Sequence, residues 1–202
     1  MLAVSKTWPA ASVRQAVAAG QREFGENYVQ EAVEKAAELA DMVESGLEWH
    51  FIGPLQSNKT RLVAENFAWV HSVDRLKIAE RLSAQRPSEL APLQVCIQVN
   101  VSGEASKSGC TPDQAATLAN AVAALPGLCL RGLMAIPEPS DDDRLQRSRF
   151  ALLRQLRDRL NAEGLSLDTL SMGMSHDLEA AIMEGSTLLR IGTAIFGERV
   201  YA

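Results

Sequence analysis

The stretch LQVCIQVNV, at residues 93–101, decides the fold class because it joins a short apolar run, rich in Val and Ile, to a helical pattern. Residues 112–124 follow it, and their apolar side chains return every three or four positions. Together the two segments indicate one strand followed by one helix. The same alternation occurs on both sides of this stretch.

Four similar apolar runs precede this stretch and three follow it. They give eight predicted strands, at residues 2–5, 22–25, 48–52, 68–72, 93–101, 128–136, 168–172 and 188–191. Helical patterns occur at 11–19, 29–43, 75–85, 112–124 and 144–163, and Asp74 and Thr111 are placed as N-caps. Eight parallel strands, each followed by a helix, can close into a barrel, whereas an open doubly wound sheet normally has fewer strands. We therefore expect a single-domain (β/α)8 TIM barrel over residues 1–202, with the open sheet as the alternative.

The two ends of the chain are unusual for such a barrel. The first predicted strand begins directly after Met1, and only residues 192–202 follow the last strand. These residues are too few for a full covering helix. We expect that a helix preceding residue 1 normally packs against the barrel and has been lost or omitted.

Composition and charge narrow the functional class. The 202 residues are 47% hydrophobic, which suffices for one domain with a substantial core. The net charge is −5 and charges of both signs are interspersed, so the sequence has no basic stripe for nucleic acid. No apolar run reaches the ~18 residues that cross a bilayer, and the three histidines are far apart. The three cysteines form no CxxC pair, which fits a reducing cytoplasm. Together these features lead us to expect a cytoplasmic protein without a metal ion, membrane contact or nucleic-acid partner. We also expect a monomer.

Polar and glycine residues follow three of the predicted strands. The active site of this fold lies at the carboxyl ends of the strands, and phosphate commonly binds after strands seven and eight. Lys6 ends the first strand, SMGMS at 171–175 follows the seventh, and RIGT at 190–193 follows the eighth. Glycine lets backbone amides approach an anion, and Ser175 and Thr193 supply hydroxyl donors. A predicted helix at 177–184 adds its positive end. The alternative, which the loop by itself favours because N-caps are common, is that Ser175 is only the N-cap of that helix.

Lys6 and Arg190 are the candidate reactive groups. A lysine partly removed from water keeps more of its neutral amine, the form that attacks an aldehyde, although a strand-end lysine also commonly extends into solvent. An amine opposite a phosphate site describes either pyridoxal 5′-phosphate (PLP) or a phosphosugar aldolase substrate. Arg190 can reach the ring nitrogen of PLP and keep it unprotonated, which weakens the cofactor as an electron sink. Pairing of Arg190 with the phosphate or with a neighbouring acid is the alternative.

Several long motifs identify a resemblance. They are AVSKT at 3–7, FGENYVQE at 24–31, WHFIGPLQSNK at 49–59, NVSGEASKSG at 100–109, RGLMAI at 131–136, SMGMS at 171–175 and RIGTAIFG at 190–197. In this order, and from end to end, the chain closely resembles the pyridoxal phosphate homeostasis protein family. The resemblance implies a barrel of the alanine racemase N-terminal type that carries PLP as a Schiff base on Lys6.

The resemblance also assigns the other cofactor contacts. It implies Ser175, Gly192 and Thr193 at the phosphate and Arg190 near the pyridine nitrogen. Asn27 of FGENY is a further lining residue, or a cap of the following helix. Lys107 of the SKSG segment either assists exchange of PLP or is an ordinary solvated lysine. His176 departs from the acidic or small residue that family members often have there, which alters the charge beside the phosphate.

The family implies a role in supply and balance of PLP without an established catalytic reaction, and apo PLP-enzymes as possible partners. The competing hypothesis is a PLP-dependent racemase, because the same barrel serves alanine racemase. A two-base racemase needs a second acid/base, usually a Tyr from an added domain. This chain has only Tyr28 and Tyr201. We therefore expect a cofactor carrier with no catalytic residue, and His50 receives no catalytic role.

Overall fold

The computed structural model describes residues 1–104 and 107–198, apart from the side chains of residues 43 and 44. Its strands form one sheet in which every neighbouring pair is parallel. They are β1 (Leu2–Val4), β2 (Glu23–Glu26), β3 (Glu48–Phe51), β4 (Trp69–Val73), β5 (Leu93–Gln98), β6 (Leu128–Met134), β7 (Thr169–Ser171) and β8 (Arg190–Ile191). All eight predicted strands are present.

The sheet closes on itself between β7 and β8, which stand at the two ends of the strand order β7-β6-β5-β4-β3-β2-β1-β8. A parallel bridge joins Ser171 to Leu188. The N–H of Leu188 donates to the carbonyl of Leu170 at 3.2 Å, and the N–H of Arg190 donates to the carbonyl of Gly173 at 3.0 Å. The predicted barrel is therefore confirmed, and the open-sheet alternative is wrong.

Helices connect the strands and cover the outside of the barrel. They are α1 (Ala10–Ala18), α2 (Val29–Glu38), α3 (Thr60–Asn66), α4 (Leu76–Gln85), α5 (Pro112–Ala123), α6 (Asp143–Ala162), α7 (Leu178–Met183) and α8 (Thr193–Phe196). The six predicted helices are confirmed, but α2 ends at Glu38 and a 3-10 helix continues to Ser45. Helix α3 was not predicted, since seven residues are too few for a clear apolar period.

The two predicted caps have different outcomes. Thr111 is the N-cap of α5, and its backbone N–H donates to Oε1 of Gln114 at 3.1 Å. The prediction for Asp74 is wrong, because Arg75 occupies the N-cap of α4. The carboxylate of Asp74 instead accepts from the Arg75 guanidinium at 2.7 Å.

The core lies mainly between the sheet and the helices. Helix α6 illustrates it, since Phe150, Leu153, Leu156 and Leu160 return every three or four positions and are all buried. Burial of each such side chain contributes about 1.5–3 kcal/mol. The helices therefore hold the strand ends in fixed places around the mouth of the barrel.

The interior of the barrel is more polar than the branched aliphatic layers that usually fill this fold. His50 of β3, His71 of β4, Ser171 of β7 and Arg190 of β8 are all buried. The imidazole of His71 contacts the hydroxyl of Ser171 at 2.7 Å. Since β4 and β7 are not neighbours in the sheet, that contact crosses the inside of the barrel.

After β8 the described chain forms only the four-residue helix α8. The ring of Phe196 in α8 stacks on Trp8, with 5.9 Å between the ring centroids. This aromatic pair joins α8 to the segment between β1 and α1. Within the described ranges, none of the helices is both long and apolar enough to pass through a lipid bilayer.

Candidate functional site

A cavity of 230 Å³ opens at the carboxyl ends of the strands. All six residues predicted as cofactor contacts line it: Lys6, Asn27, Ser175, Arg190, Gly192 and Thr193. They come from the ends of β1, β2 and β7 and from β8 with the turn after it, which only the barrel brings together. The sequence did not single out the apolar part of the lining, formed by Val4, Ile52, Ile136 and Met174.

The half-buried Lys6 lies in a tight turn directly after β1. The N–H of Trp8 donates to the carbonyl of Ser5 at 3.0 Å and closes the turn. Thr7 has a φ of 67°, a left-handed conformation that β-branched residues rarely adopt. Such a conformation persists only where surrounding contacts enforce it. The backbone beside Lys6 is therefore held in place from outside the turn.

A buried cluster of charges between β2 and α2 supplies those contacts. Oε1 of Glu26 accepts from the hydroxyl of Ser5 and from Nζ of Lys35, both at 2.7 Å. The Lys35 ammonium also donates to the carbonyl of Ser5 at 2.7 Å and pairs with Oε1 of Glu31 at 2.7 Å. Glu31 in turn accepts from the N–H of Thr7 at 2.5 Å. Both neighbours of Lys6 are thus attached to one ion cluster, which the sequence did not reveal.

Glu26 and Lys35 depend on each other because both are buried. Burial raises the pKa of Glu26, whereas the charge and the hydrogen bond of Lys35 act in the opposite direction. The second carboxylate oxygen, Oε2 of Glu26, is buried and has no hydrogen-bond partner among the described residues. Lys35 is therefore the main group that keeps this carboxylate ionised.

Asn27 lies where β2 turns into α2, beside the cavity. Gly53 permits this arrangement, since a Cβ on Gly53 would lie 2.4 Å from the carbonyl oxygen of Asn27. Tyr28, not Asn27, is the N-cap of α2, so the capping alternative for Asn27 is wrong. Its side-chain oxygen Oδ1 is buried and has no partner among the described residues. A buried acceptor without a partner beside a cavity is suited to a ligand that donates a hydrogen bond.

Arg190 is 3% exposed and its guanidinium extends to the cavity. Its Nη1 donates to the carbonyl and to the hydroxyl of Ser171, at 2.6 and 2.8 Å, and its Nη2 donates to the carbonyl of Ala135 at 2.8 Å. Burial lowers the pKa of Arg190 to about 10, while the charge of Asp177 acts against that change. Arg190 is thus a cation at neutral pH, and the acceptors that it contacts are all uncharged.

The loop after β7 brings Ser175 and His176 to the cavity. Asp177, not Ser175, is the N-cap of α7, so the alternative that Ser175 only caps this helix is wrong. Oδ1 of Asp177 accepts from the N–H of Met174 at 2.6 Å, which fixes the loop. Gly173 has a φ of 94°, and a Cβ there would lie 2.6 Å from Cβ of Ala181. The chain therefore needs glycine at this position to lead Ser175 to the mouth.

Lys107 lies beside this cavity. It lines a second cavity of 200 Å³, which shares Asn27, Ile52 and Ile136 with the first. Residues 105 and 106 of the same segment lie outside the described residues. Whether Lys107 assists exchange of PLP stays a prediction.

Comparisons with known proteins agree with the barrel. Residues 1–200 match the family model of the alanine racemase N-terminal domain. A Pseudomonas aeruginosa protein named pyridoxal phosphate homeostasis protein is 67% identical over 201 residues, which are 100% of this chain and 85% of that protein. PipY of Synechococcus elongatus, solved with PLP bound, is 40% identical with a TM-score of 0.88, over 98% of this chain and 92% of that one. An alanine racemase of Corynebacterium glutamicum shares the fold, with a TM-score of 0.73 at 16% sequence identity. That match covers 100% of this chain and 56% of the racemase.

Proposed function

This chain belongs to the alanine racemase N-terminal domain family, among the pyridoxal phosphate homeostasis proteins, and we propose that it binds PLP in the cavity at Lys6. The observation that carries the proposal is the convergence of a primary amine, a guanidinium and two hydroxyls on one cavity of 230 Å³. The protein acts in PLP homeostasis, as a carrier or reservoir of the cofactor.

The residues present fit PLP. The cofactor supplies an aldehyde that bonds reversibly to primary amines, and Lys6 is the amine on the cavity wall. The small residue Gly192 and the hydroxyls of Ser175 and Thr193 suit a phosphate group, because they leave room and donate hydrogen bonds. The unpartnered Oδ1 of Asn27 offers an acceptor to the cofactor. Val4, Ile52 and Met174 provide apolar surface for the pyridine ring.

Arg190 favours storage of the cofactor over catalysis. A guanidinium can only donate hydrogen bonds and stays charged, so beside the pyridine nitrogen it opposes protonation of that nitrogen. An unprotonated ring withdraws electrons weakly, whereas enzymes that need a strong electron sink usually place an acid there. The same residue that helps to bind the cofactor therefore restrains its chemistry.

Among the described residues, the lining of the cavity also lacks the tyrosine that usually serves as the second acid/base of a racemase. Among the described residues that line it, the titratable side chains are Lys6, His176 and Arg190. Tyr28 is 55% exposed and is not part of this lining. Tyr201 lies outside the described residues. We infer that the chain holds PLP without enzymatic turnover, and that apo PLP-enzymes receive it.

Binding is tested by adding PLP to the purified chain, reducing it with borohydride and mapping the modified peptide by mass spectrometry. We expect visible absorbance before reduction and a covalent adduct on Lys6. Lys6→Ala should abolish both, whereas the control Lys77→Ala, on the exposed face of α4, should retain them. A wild-type chain that gains no adduct on Lys6 would refute the proposal.

Two further experiments separate carrier from enzyme. The PLP-loaded chain is incubated with single-enantiomer amino acids, and their configuration should remain unchanged. Transfer of PLP to an apo-enzyme is then followed while free PLP is scavenged. Racemisation at enzyme-like rates would contradict the carrier assignment, and recovery of the apo-enzyme despite the scavenger would support direct transfer.

A further inference from the structure

A continuous line of hydrogen bonds runs from Arg190 through the inside of the barrel. Nη1 of Arg190 donates to the hydroxyl of Ser171 at 2.8 Å, and this hydroxyl contacts Nδ1 of His71 at 2.7 Å. Nε2 of His71 lies 3.0 Å from Nδ1 of His50, and Nε2 of His50 lies 3.0 Å from Oε1 of Glu48. We name these five residues the interior relay.

The interior relay connects the cofactor cavity with solvent at the other end of the barrel. Arg190 lines the cavity, whereas Glu48 is the first residue of β3 and its side chain is 42% exposed. The three residues between them are at most 1% exposed. These three residues are therefore shielded from bulk water, and the contacts between them are made within the protein.

With both imidazoles neutral and Glu48 ionised, the donors and acceptors can be placed in only one consistent direction. Arg190 has no acceptor, so the Ser171 oxygen accepts from it and the Ser171 proton points to Nδ1 of His71. A neutral His71 with an unprotonated Nδ1 carries its proton on Nε2 and donates it to Nδ1 of His50. His50 then carries its proton on Nε2 and donates to the Glu48 carboxylate. Every bond is oriented from the cation towards the anion.

The electrostatic environment supports a neutral His71. Burial lowers the pKa of His71 well below its usual value, and the charge of Arg190 acts in the same direction, as a charge on His50 would. Burial also raises the pKa of Cys96 to about 12, so this thiol stays neutral. Two further charged groups among the described residues lie near the relay. The guanidinium of Arg131 lies 4.9 Å from the centre of the Trp69 ring. The hydrogen bond from His50 lowers the pKa of Glu48, and the charge of Arg131 acts in the same direction. The charge of Asp177 opposes the lowering of the Arg190 pKa by burial.

We propose that Ser171 and His71 are positioning residues, which hold the guanidinium of Arg190 towards the cavity through a relay that ends at Glu48. The inference rests on the proposed binding of PLP. Of the five N–H donors of Arg190, the described contacts use three, for Ser171 and Ala135. The relay fixes which donors remain for the cavity.

The relay also makes the site sensitive to protons. A second proton on His50 would place an N–H at Nδ1, opposite the N–H on Nε2 of His71. One ring must then turn away, or His71 must move its proton to Nδ1 and donate to the Ser171 oxygen, whose own proton then has to rotate away from His71. Either change alters the hydrogen bonds of the Ser171 hydroxyl, which accepts from Arg190, so the relay links a proton at its solvent end to the guanidinium at the cofactor cavity.

The test compares PLP affinity and the pH dependence of bound-PLP absorbance in the wild type and three variants. Ser171→Ala and Glu48→Ala interrupt the relay at its buried and exposed ends. Ser72→Ala is the matched control, because Ser72 is a buried serine on β4 whose hydroxyl has no partner among the described residues. We expect roughly tenfold weaker binding for Ser171→Ala, the effect of one lost hydrogen bond to a charged group, and an altered pH profile for both relay variants. The control should match the wild type in both measurements.

Borohydride labelling of Lys6 in the same samples separates the two proposals. If the relay variants retain wild-type affinity and pH profile while Lys6 is labelled, the relay proposal is wrong and the proposed function stands. If wild-type Lys6 is not labelled, both fail. Should Ser171→Ala not fold, nitrogen NMR of the wild-type imidazoles replaces it: both rings should carry their proton on Nε2, and a proton on Nδ1 of His71 would overturn the relay.

Discussion

Replacing Lys35 by Met tests whether the ion cluster beneath the Lys6 turn is an electrostatic device or only packing. Met is close to Lys in length and apolar, so the change removes the ammonium and keeps most of the side-chain volume. The Glu26 carboxylate, which is 0% exposed, then loses the cation at 2.7 Å. Breaking a buried pair by removing one partner costs about 3–5 kcal/mol. We expect the free energy of unfolding to fall by that amount at pH 8, which is a large part of the ~5–15 kcal/mol that a typical domain has in total.

The size of the loss should depend on pH, with a definite sign. The folded-state pKa of Glu26 is already raised by burial, and Lys35 opposes that rise. Without Lys35 this pKa goes higher, so the folded state binds a proton that the unfolded state has released. Stability then falls as pH rises from the ordinary carboxyl value towards the new folded pKa, by about 1.4 kcal/mol per pH unit. The variant should therefore be closest to the wild type in acid.

The assay is urea unfolding of the cofactor-free chain, followed by tryptophan fluorescence at pH 5 and pH 8. Glu26→Gln combined with Lys35→Met leaves no fully buried charge unpaired, although Glu31 at the edge of the cluster still loses its cation. The double variant should therefore regain much of the lost stability and should not show the pH dependence of the single variant. Arg61→Gln, which breaks the exposed pair of Arg61 and Glu65, is the control and should cost about 0.5 kcal/mol or less. Equal losses for Lys35→Met at both pH values, or a double variant no more stable than the single one, would refute the reasoning.

Two further predictions use the same purified chain. Gly173→Ala should destabilise it by about 2–4 kcal/mol, because the new Cβ meets Ala181 and Leu189 within 2.7 Å at a positive φ. Gly20→Ala, at a φ of 103° with open space around it, isolates the backbone effect and should cost about 1 kcal/mol by the same unfolding assay. Cys96 and Cys110, whose pKa values burial raises to about 12 and about 11, should resist iodoacetamide at pH 8 in the folded chain. The half-buried Cys129 should react first by mass analysis, and early labelling of Cys96 would contradict the buried interior.

The barrel and the cavity were predictable because both follow from local patterns and one topological rule. Eight apolar runs separated by helical patterns leave few alternatives to a closed parallel sheet. Once that sheet is accepted, Lys6, Ser175 and Thr193 must share its carboxyl end, however far apart they are in the chain. Five of the six cavity residues followed from this rule, whereas Asn27 was expected only from the family resemblance.

The ion cluster and the interior relay were not predictable for the opposite reason. Alternation along β3 and β4 does not set their relative register, and it is the pairing of His50 with Trp69 that brings His50 beside His71. Lys35 has the period of a helix residue facing the sheet, a position that normally requires an apolar side chain. Lys35 can occupy that buried position because it pairs with the Glu26 carboxylate, and the burial of Glu26 is not visible in the sequence. Asp74 failed as a cap through a local competition, since the adjacent Arg75 binds its carboxylate.

The two networks that the sequence concealed act on the two groups that define the candidate site. The cluster of Glu26 and Lys35 holds the backbone on both sides of Lys6, and the relay through Ser171 and His71 holds Arg190. Replacing a buried charge pair by apolar residues is often neutral or stabilising, so stability alone does not explain polar groups at these positions. A reservoir must bind an aldehyde reversibly without promoting its further chemistry. Fixing the amine and the guanidinium separately, from opposite sides of the strands, meets both requirements.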